Sequence, residues 1–368
     1  MNRWKGNVLR ILKAHPLFFF LVLSQKTGAF PSDSLKNVKI GILPSVFFTP
    51  ETRLGFGVFG FSYFKTNKND SILRTSNTQT FLTYTLNKQF AFENDYQLWF
   101  AKNKFYLSGA FDFSRFPQFF FGLGNHTKQD KRVTYSADFI RIQTKALAKI
   151  HKNFYGGLFF QYKKAYNLDM TLMSYSPGIP VHGNMGFTAT GIGPSFTLDK
   201  RNNPLNPSKG YYVEGSVVDY NVIFKNEFEF TSFNLDARKY QTLFNRLIWN
   251  GNAYFSFNKG NVPYSLMPEI GGARFLRGFY RGRFRDNHLV VLQQEFRMNV
   301  YKMFGLAVFG GVGSVANSFK MFKDNTVHYN WGAGLRIRIN KKENTNIRID
   351  YGFTRDSHGL YIVFAEAF

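Results

Sequence analysis

The sequence predicts an all-β chain, a transmembrane antiparallel β-barrel of about 16 strands. Three observations predict it. Apolar and polar residues alternate almost everywhere after residue 38. The chain carries 45 Phe and 20 Tyr among 368 residues, yet its mean hydropathy is only −0.25. The connections between alternating segments are long and short in turn. A soluble domain so rich in Phe needs a large core and long apolar runs, and none follows the N-terminus. A barrel in lipid shows lipid one face and water the other, so apolar residues spread evenly through a polar average. A soluble β-sandwich would need polar outer faces, whereas one face of many strands here is Phe, Leu, Ile and Tyr.

Taken in order, the strands are expected at 38–48, 54–65, 75–86, 91–101, 104–114, 134–146, 153–165, 189–199, 210–223, 227–240, 244–258, 287–300, 303–315, 328–340, 345–355 and 357–368. The fifth places Phe105, Leu107, Gly109, Phe111 and Phe113 on one face, and Tyr106, Ser108, Ala110, Asp112 and Ser114 on the other. The fourteenth sets Trp331, Ala333, Leu335, Ile337 and Ile339 against Gly332, Gly334, Arg336, Arg338 and Asn340. The fifteenth sets Ile347, Ile349, Tyr351 and Phe353 against Arg348, Asp350, Gly352 and Thr354. Period-two patterning puts each set on one side of a sheet. An even count suits a single-chain barrel with both ends in the periplasm. Odd-to-even connections then include the long stretches 115–133, 166–188, 259–286 and 316–327, and even-to-odd ones include 101–104, 147–152 and 241–243. Long extracellular loops and short periplasmic turns are the pattern of such barrels.

Two divisions of the chain are expected: a secretory signal over residues 1–29 and a barrel over residues 30–368. Arg3, Lys5, Arg10 and Lys13 precede the short apolar core Leu17–Leu23, and Thr27-Gly28-Ala29 offers small residues for cleavage. A transmembrane anchor would need roughly 20 apolar residues. Only about ten residues, Phe30–Val38, separate the signal from the first strand, so no periplasmic module is expected there. The chain has no Cys, hence no lipoprotein acylation site.

Removing residues 1–29 removes five positive charges, so the net +24 falls to +19. The basic residues are dispersed along strands and turns without a recognition helix or zinc pattern, which argues against nucleic acid. A basic barrel fits anionic lipopolysaccharide and outer-membrane lipid as partners, or a cationic lumen. Catalytic, metal and cofactor sites are all expected to be absent. His126 and His182 lie in long loops and His328 and His358 near strand ends, with no nucleophile in sight, and read as surface histidines.

Three stretches carry a family resemblance. Gly191–Gly210 reads GIGPSFTLDKRNNPLNPSKG, in which Pro204 and Pro207 stiffen a turn and Gly210 supplies a positive φ. Pro268–Asp286 reads PEIGGARFLRGFYRGRFRD. The last strand places Leu360, Ile362, Phe364 and Phe368 at alternate positions, broken only by Glu366. These resemble the BamA/TamA family, the bacterial surface-antigen barrels that insert or export proteins at the outer membrane, in its subgroup without periplasmic POTRA domains. The resemblance implies that Asp199, Arg201, Asn202, Pro204, Pro207 and Gly210 form the family's Asp-x-Arg turn. It implies that Arg277, Gly278 and Phe279 form a loop tip folded back into the lumen. Glu295, on the lumen face beside Gln293 and Arg297, is then a partner for Arg277. The alternative is that Arg277 belongs to an exposed basic loop with Arg274, Arg281 and Arg283. The family usually has an Asp inside the following strand where this chain has Gly311, and Asp350 is the available substitute. Phe364 and Phe368 resemble a C-terminal sorting signal.

The expected function is therefore that of an outer-membrane protein of envelope biogenesis in a Gram-negative-type bacterium, inserting or translocating protein or lipid. Periplasmic or lipoprotein partners would replace the missing domains. The alternative is a passive channel or structural barrel without insertase activity.

Overall fold

The computed structural model describes residues 17–19, 38–49, 53–86, 88–168, 181–221, 226–244, 246–323, 326–340, 345–364 and 366–368. Sixteen long strands run through them: β1 (Lys39–Thr49), β2 (Arg53–Phe64), β3 (Ser76–Thr85), β4 (Phe90–Phe100), β5 (Phe105–Phe120), β6 (Val133–His151), β7 (Phe154–Tyr166), β8 (Phe187–Asp199), β9 (Gly210–Asp219), β10 (Phe230–Phe244), β11 (Leu247–Gly260), β12 (His288–Tyr301), β13 (Phe304–Ala316), β14 (His328–Asn340), β15 (Thr345–Phe353) and β16 (His358–Phe364). Every one falls on an expected strand. Each pairs antiparallel with the next from β1 to β16. Tyr63 on β2 shares a 3.2 Å hydrogen bond with Thr345 on β15, so the two ends of the sheet come round to one another. Of the expected signal segment, only Leu17–Phe19 lies within the described residues, as a short strand beside Val46–Phe48 of β1.

Alternation fixes which face is which. On β13, Leu306, Val308 and Val312 face out at 50%, 55% and 41% exposure, whereas Ala307 and Phe309 are buried. On β12, Leu292 and Met298 face out, and Gln293, Glu295 and Arg297 are buried. Apolar-out, polar-in order identifies the outer face as the lipid side. The short turns are tight: Lys152 and Lys302 adopt left-handed φ of 38° and 45° between paired strands, where two-residue links demand it.

Several strand ends differ from expectation. β5 continues to Phe120, paired with Val133 at the start of β6, so the hairpin they form extends beyond its neighbours at the long-loop side, and Pro117 sits within it opposite Ser136; at the short-turn side β6 runs on to His151. A proline inside a strand is ordinarily a stop signal, yet pairing runs on past the end expected at 114. The ninth strand stops at Asp219 rather than 223. The last strand stops at Phe364 rather than 368.

Connections pack into the barrel interior at both ends. Phe120, Tyr135, Phe139, Phe187, Val262 and Tyr264 join loops and strand ends in one apolar cluster at the long-loop side. At the short-turn side, Leu73 from the β2–β3 connection packs on the lumen-facing Trp99, Tyr106, Leu147 and Tyr155. Arg74 there pairs with Asp199 at 3.0 Å and lies 4.7 Å from the Trp99 ring centroid.

Candidate functional site: an ionic latch inside the barrel

The loop between β11 and β12 enters the lumen. Glu269–Ile270 pairs with Phe284–Arg285 as a two-stranded stem. Ile270, Leu276, Phe279 and Phe284 bury against Leu289, Val291 and Val315 on the inner wall. Each such side chain contributes about 2 kcal/mol on leaving water, so the loop has an apolar reason to enter.

At its tip, Leu276 takes φ 50° and Gly278 takes φ 118°. Only glycine adopts the second conformation without strain. A Cβ on Gly278 would also lie 3.0 Å from backbone of β15, and one on Gly352 would meet the Arg277 carbonyl at 2.4 Å. The tip backbone therefore rests directly on the β15 backbone through two glycines. Fixed partners complete the seat. Asn330 donates to the Arg277 carbonyl at 2.7 Å, the Gly278 N–H donates to the Tyr361 hydroxyl at 2.9 Å, and the Leu276 N–H donates to Gln293 at 2.9 Å. Ser357 donates to the Gly278 carbonyl at 2.8 Å. Phe279 is buried, with its ring 5.6 Å from Phe284 and 5.9 Å from His328.

The Arg277 guanidinium is 1% exposed at the residue level. One nitrogen lies 2.7 Å from Glu295 and another 2.5 Å from Asp350. Its centre sits 3.5 Å from the Phe309 ring centroid, a close cation–π contact. Arg336 bridges the same two carboxylates at 3.2 and 2.6 Å, and Arg348 reaches Asp350 at 2.5 Å. Glu366 adds a third carboxylate, 2.8 Å from Arg336, 3.2 Å from Arg297 and 2.7 Å from the Asn346 amide that donates to it. Four guanidiniums thus face three carboxylates, and the set carries one net positive charge. Removing such ions from water costs several kcal/mol each, offset only when every charge is met. The arrangement specifies a position more than it adds stability, and deleting one member is costly.

Gly311 stands on the lumen face of β13 where the family motif has a carboxylate. A Cβ there would lie 2.9 Å from Leu276 and 2.9 Å from the Leu292 carbonyl. The space belongs to the loop tip, and Asp350 on β15 supplies the second carboxylate to Arg277. The basic loop residues divide. Arg274 pairs with Asp236 at 2.8 Å, Arg281 with Glu269 at 2.9 Å, and Arg283 donates to Thr127 at 2.7 Å.

The turn between β8 and β9 is tied by Asp199, which accepts from the Arg201 side chain at 2.9 and 3.1 Å, while Arg201 donates to the Pro204 carbonyl at 3.1 Å. Gly210 takes φ 105°, and a Cβ would meet the Lys200 carbonyl at 2.0 Å. The Pro207 carbonyl accepts from Arg297 at 2.5 Å, linking this turn to the latch.

The C-terminal residues correct one expectation. Phe368 does not continue the alternation of β16: the strand ends at Phe364, and Phe368 is buried at 6% exposure beyond it. The cause is Glu366, which turns inward to its arginines. His328 is also not a surface histidine. It is half-buried, stacked on Phe284 at 3.6 Å, with Nε2 3.0 Å from the Asn125 side chain.

Arg297, Arg336, Arg348 and Tyr361 complete the site without having been singled out by any motif. Their signal was alternation, since Arg336 and Arg348 stand on the polar face. Nothing in the sequence aligned those faces with Arg277. The opposite wall holds a separate water-accessible space of about 280 Å³ between β3 and β9, lined by Gln79, Asp95, Gln143, Lys145 and Glu214.

A lipid-facing antiparallel barrel with a long loop latched inside it defines a transmembrane β-barrel with an occluded lumen. The chain belongs to the Omp85 superfamily, whose domain model matches residues 36–360. Among solved structures it resembles BamA from Haemophilus ducreyi lacking POTRA domains 1–3, at TM-score 0.55 and 12% identity over 89% of this chain and 70% of that one. CdiB from Escherichia coli matches at TM-score 0.56 and 11% identity, over 91% of this chain and 62% of that one. CdiB from Acinetobacter baumannii matches at 0.53 and 12%, over 88% and 57%. This chain therefore spans about three-fifths of the CdiB chains. No curated protein sequence matches it.

Proposed function

We propose that this protein is an outer-membrane barrel of envelope biogenesis that inserts or translocates protein, or lipid, without covalent chemistry of its own. The observation that carries the reading is the Arg277 tip held between Glu295 and Asp350 inside an Omp85-superfamily barrel. A lumen filled by that loop opposes service as a wide pore. Substrate reception falls to periplasmic or lipoprotein partners, and outer-membrane lipid and lipopolysaccharide surround the barrel. Phe364 and Phe368 serve as its own sorting signal, and the Asp199–Gly210 turn braces the periplasmic rim. A second reading, a passive channel or structural barrel, is favoured by one observation: the latch lacks the family's carboxylate at Gly311.

Affinity purification from native outer membranes in mild detergent, beside Arg277→Ala, tests the two. Arg277→Ala should cost on the order of 3 kcal/mol, because it strips one cation from a buried network, seen as a lowered thermal unfolding midpoint. Partners that co-purify with the wild type and are lost or altered in the variant support the biogenesis reading. A barrel that purifies alone and conducts ions steadily supports the second.

A further inference from the structure

A groove of about 690 Å³ crosses the barrel wall over β9 to β14, open on the lipid side. Lys239, Gly251, Gln294 and Gly310 on its floor are the middle of one continuous cross-strand row. Tyr211 on β9 pairs with Lys239 on β10, Lys239 with Gly251 on β11, Gly251 with Gln294 on β12, Gln294 with Gly310 on β13, and Gly310 with Trp331 on β14. Their buried strand neighbours Tyr240, Asn250, Asn252, Gln293, Glu295, Phe309 and Asn330 face the lumen, so alternation points the row outward.

Strand tilt gives the row a direction. Tyr211 is the second residue of β9, at the short-turn rim, and Trp331 is the fourth residue of β14, near the long-loop rim. The row thus climbs from the periplasmic interface toward the extracellular one, with an aromatic residue at each end. Between them, where lipid-facing positions are ordinarily apolar, stand two glycines and two polar side chains. Lys239 and Gln294 are both exposed. Neither side chain has a hydrogen-bond or charge partner among the described residues. They flank Gly251 one strand to each side, roughly 10 Å apart by two strand spacings.

An unpaired ammonium and an unpaired primary amide in contact with hydrocarbon each lack what they need, an anion and an acceptor. A phospholipid supplies both in the order in which the groove presents them. Its phosphate lies at the interface, where Lys239 stands near the periplasmic rim. Its ester carbonyl lies deeper, where the Gln294 amide can donate to it. Its acyl chain lies deeper still, over Gly310 and against Leu292 and Val312, which are 47% and 41% exposed. We propose that this groove is a binding site for an anionic phospholipid of the periplasmic leaflet. The site depends on the membrane placement of the barrel and not on insertase action.

The test is native mass spectrometry of the full chain released from nanodiscs containing phosphatidylglycerol and phosphatidylethanolamine. The wild type should retain phosphatidylglycerol selectively, and Lys239→Met should lower that retention by about fivefold, the value of one lysine at an anionic lipid surface. Lys239→Arg should keep it, and Gln294→Leu should weaken retention of either lipid. Gly310→Val should expel the chain. Should that variant fail to fold, which heat-dependent gel migration reports, the Lys239 pair decides alone, because both replace an exposed side chain. Equal retention in wild type and Lys239→Met overturns the site. Lysine-dependent retention of added lipopolysaccharide in place of phosphatidylglycerol overturns the choice of leaflet and lipid.

Discussion

At the scale of the residue, the inserted loop depends on charges that titrate in opposite directions. Burial opposes the charge of Glu269, but the guanidiniums of Arg285 and Arg281 outweigh it and hold the carboxyl at about 2 against an ordinary 4.5. That carboxylate ties the loop stem, 2.9 Å from Arg281. Its stabilisation is present above pH 4.5 and is lost as pH falls toward 2. Asp286 closes the same stem and meets no cation among the described residues. Burial pushes its carboxyl up to about 6 from 3.8, against the pull of the Asn287 N–H it accepts at 2.8 Å. The folded loop therefore holds the Asp286 proton more tightly than the unfolded chain does, and this contribution disappears as pH rises from 3.8 to 6. Opening free energies from native-state hydrogen exchange over residues 269–286 should fall between pH about 4.5 and about 6, and Asp286→Asn should abolish the fall. A fall that persists in the Asn variant would place its origin elsewhere.

At the scale of the element, the end of β16 shows a side chain overriding strand periodicity. Leu360 and Ile362 keep the lipid-facing alternation, and the pattern breaks at Glu366 because two arginines lie within reach inside the barrel. Burying Glu366 unpaired would be prohibitive, and paired it anchors the chain end. Glu366→Gln keeps the shape and the bond from Asn346 while removing the charge. It should lower stability by about 2 to 3 kcal/mol and raise the exchange of β16 amides before those of β12. Unchanged exchange at β16 would show that the anchor lies in the backbone ladder. The reach of β5 and β6 beyond their neighbours is the complementary case, in which pairing over sixteen register positions overrides the proline that argues for a stop.

For the whole molecule, the packing of connections into the barrel interior at both ends is the organising fact. The latched loop packs into the lumen toward the long-loop side, and at the short-turn side Leu73 packs on Trp99, Tyr106, Leu147 and Tyr155 of one wall. Opening one end should leave the barrel closed, and opening both should not. In planar bilayers, Leu73→Asp and Arg277→Ala should each show rare openings, and the double variant should show frequent ones. Steady conductance from Leu73→Asp alone would mean that the loop does not seal the lumen.

Strand number, strand order, lipid and lumen faces, and the loop bearing Arg277 were legible in the sequence, because period-two alternation and turn residues are local signals. Arg336, Arg348 and Asp350 could be placed on a polar face for the same reason. Their convergence on Arg277 could not, because it depends on barrel curvature bringing β12, β14 and β15 around one loop tip. Gly311 reads in sequence as a lost carboxylate, and only packing shows that Leu276 occupies its space. Likewise, Lys239, Gly251, Gln294 and Gly310 are unremarkable within their own strands. Register, which depends on how neighbouring strands slide past one another, sets them in a single row across the membrane.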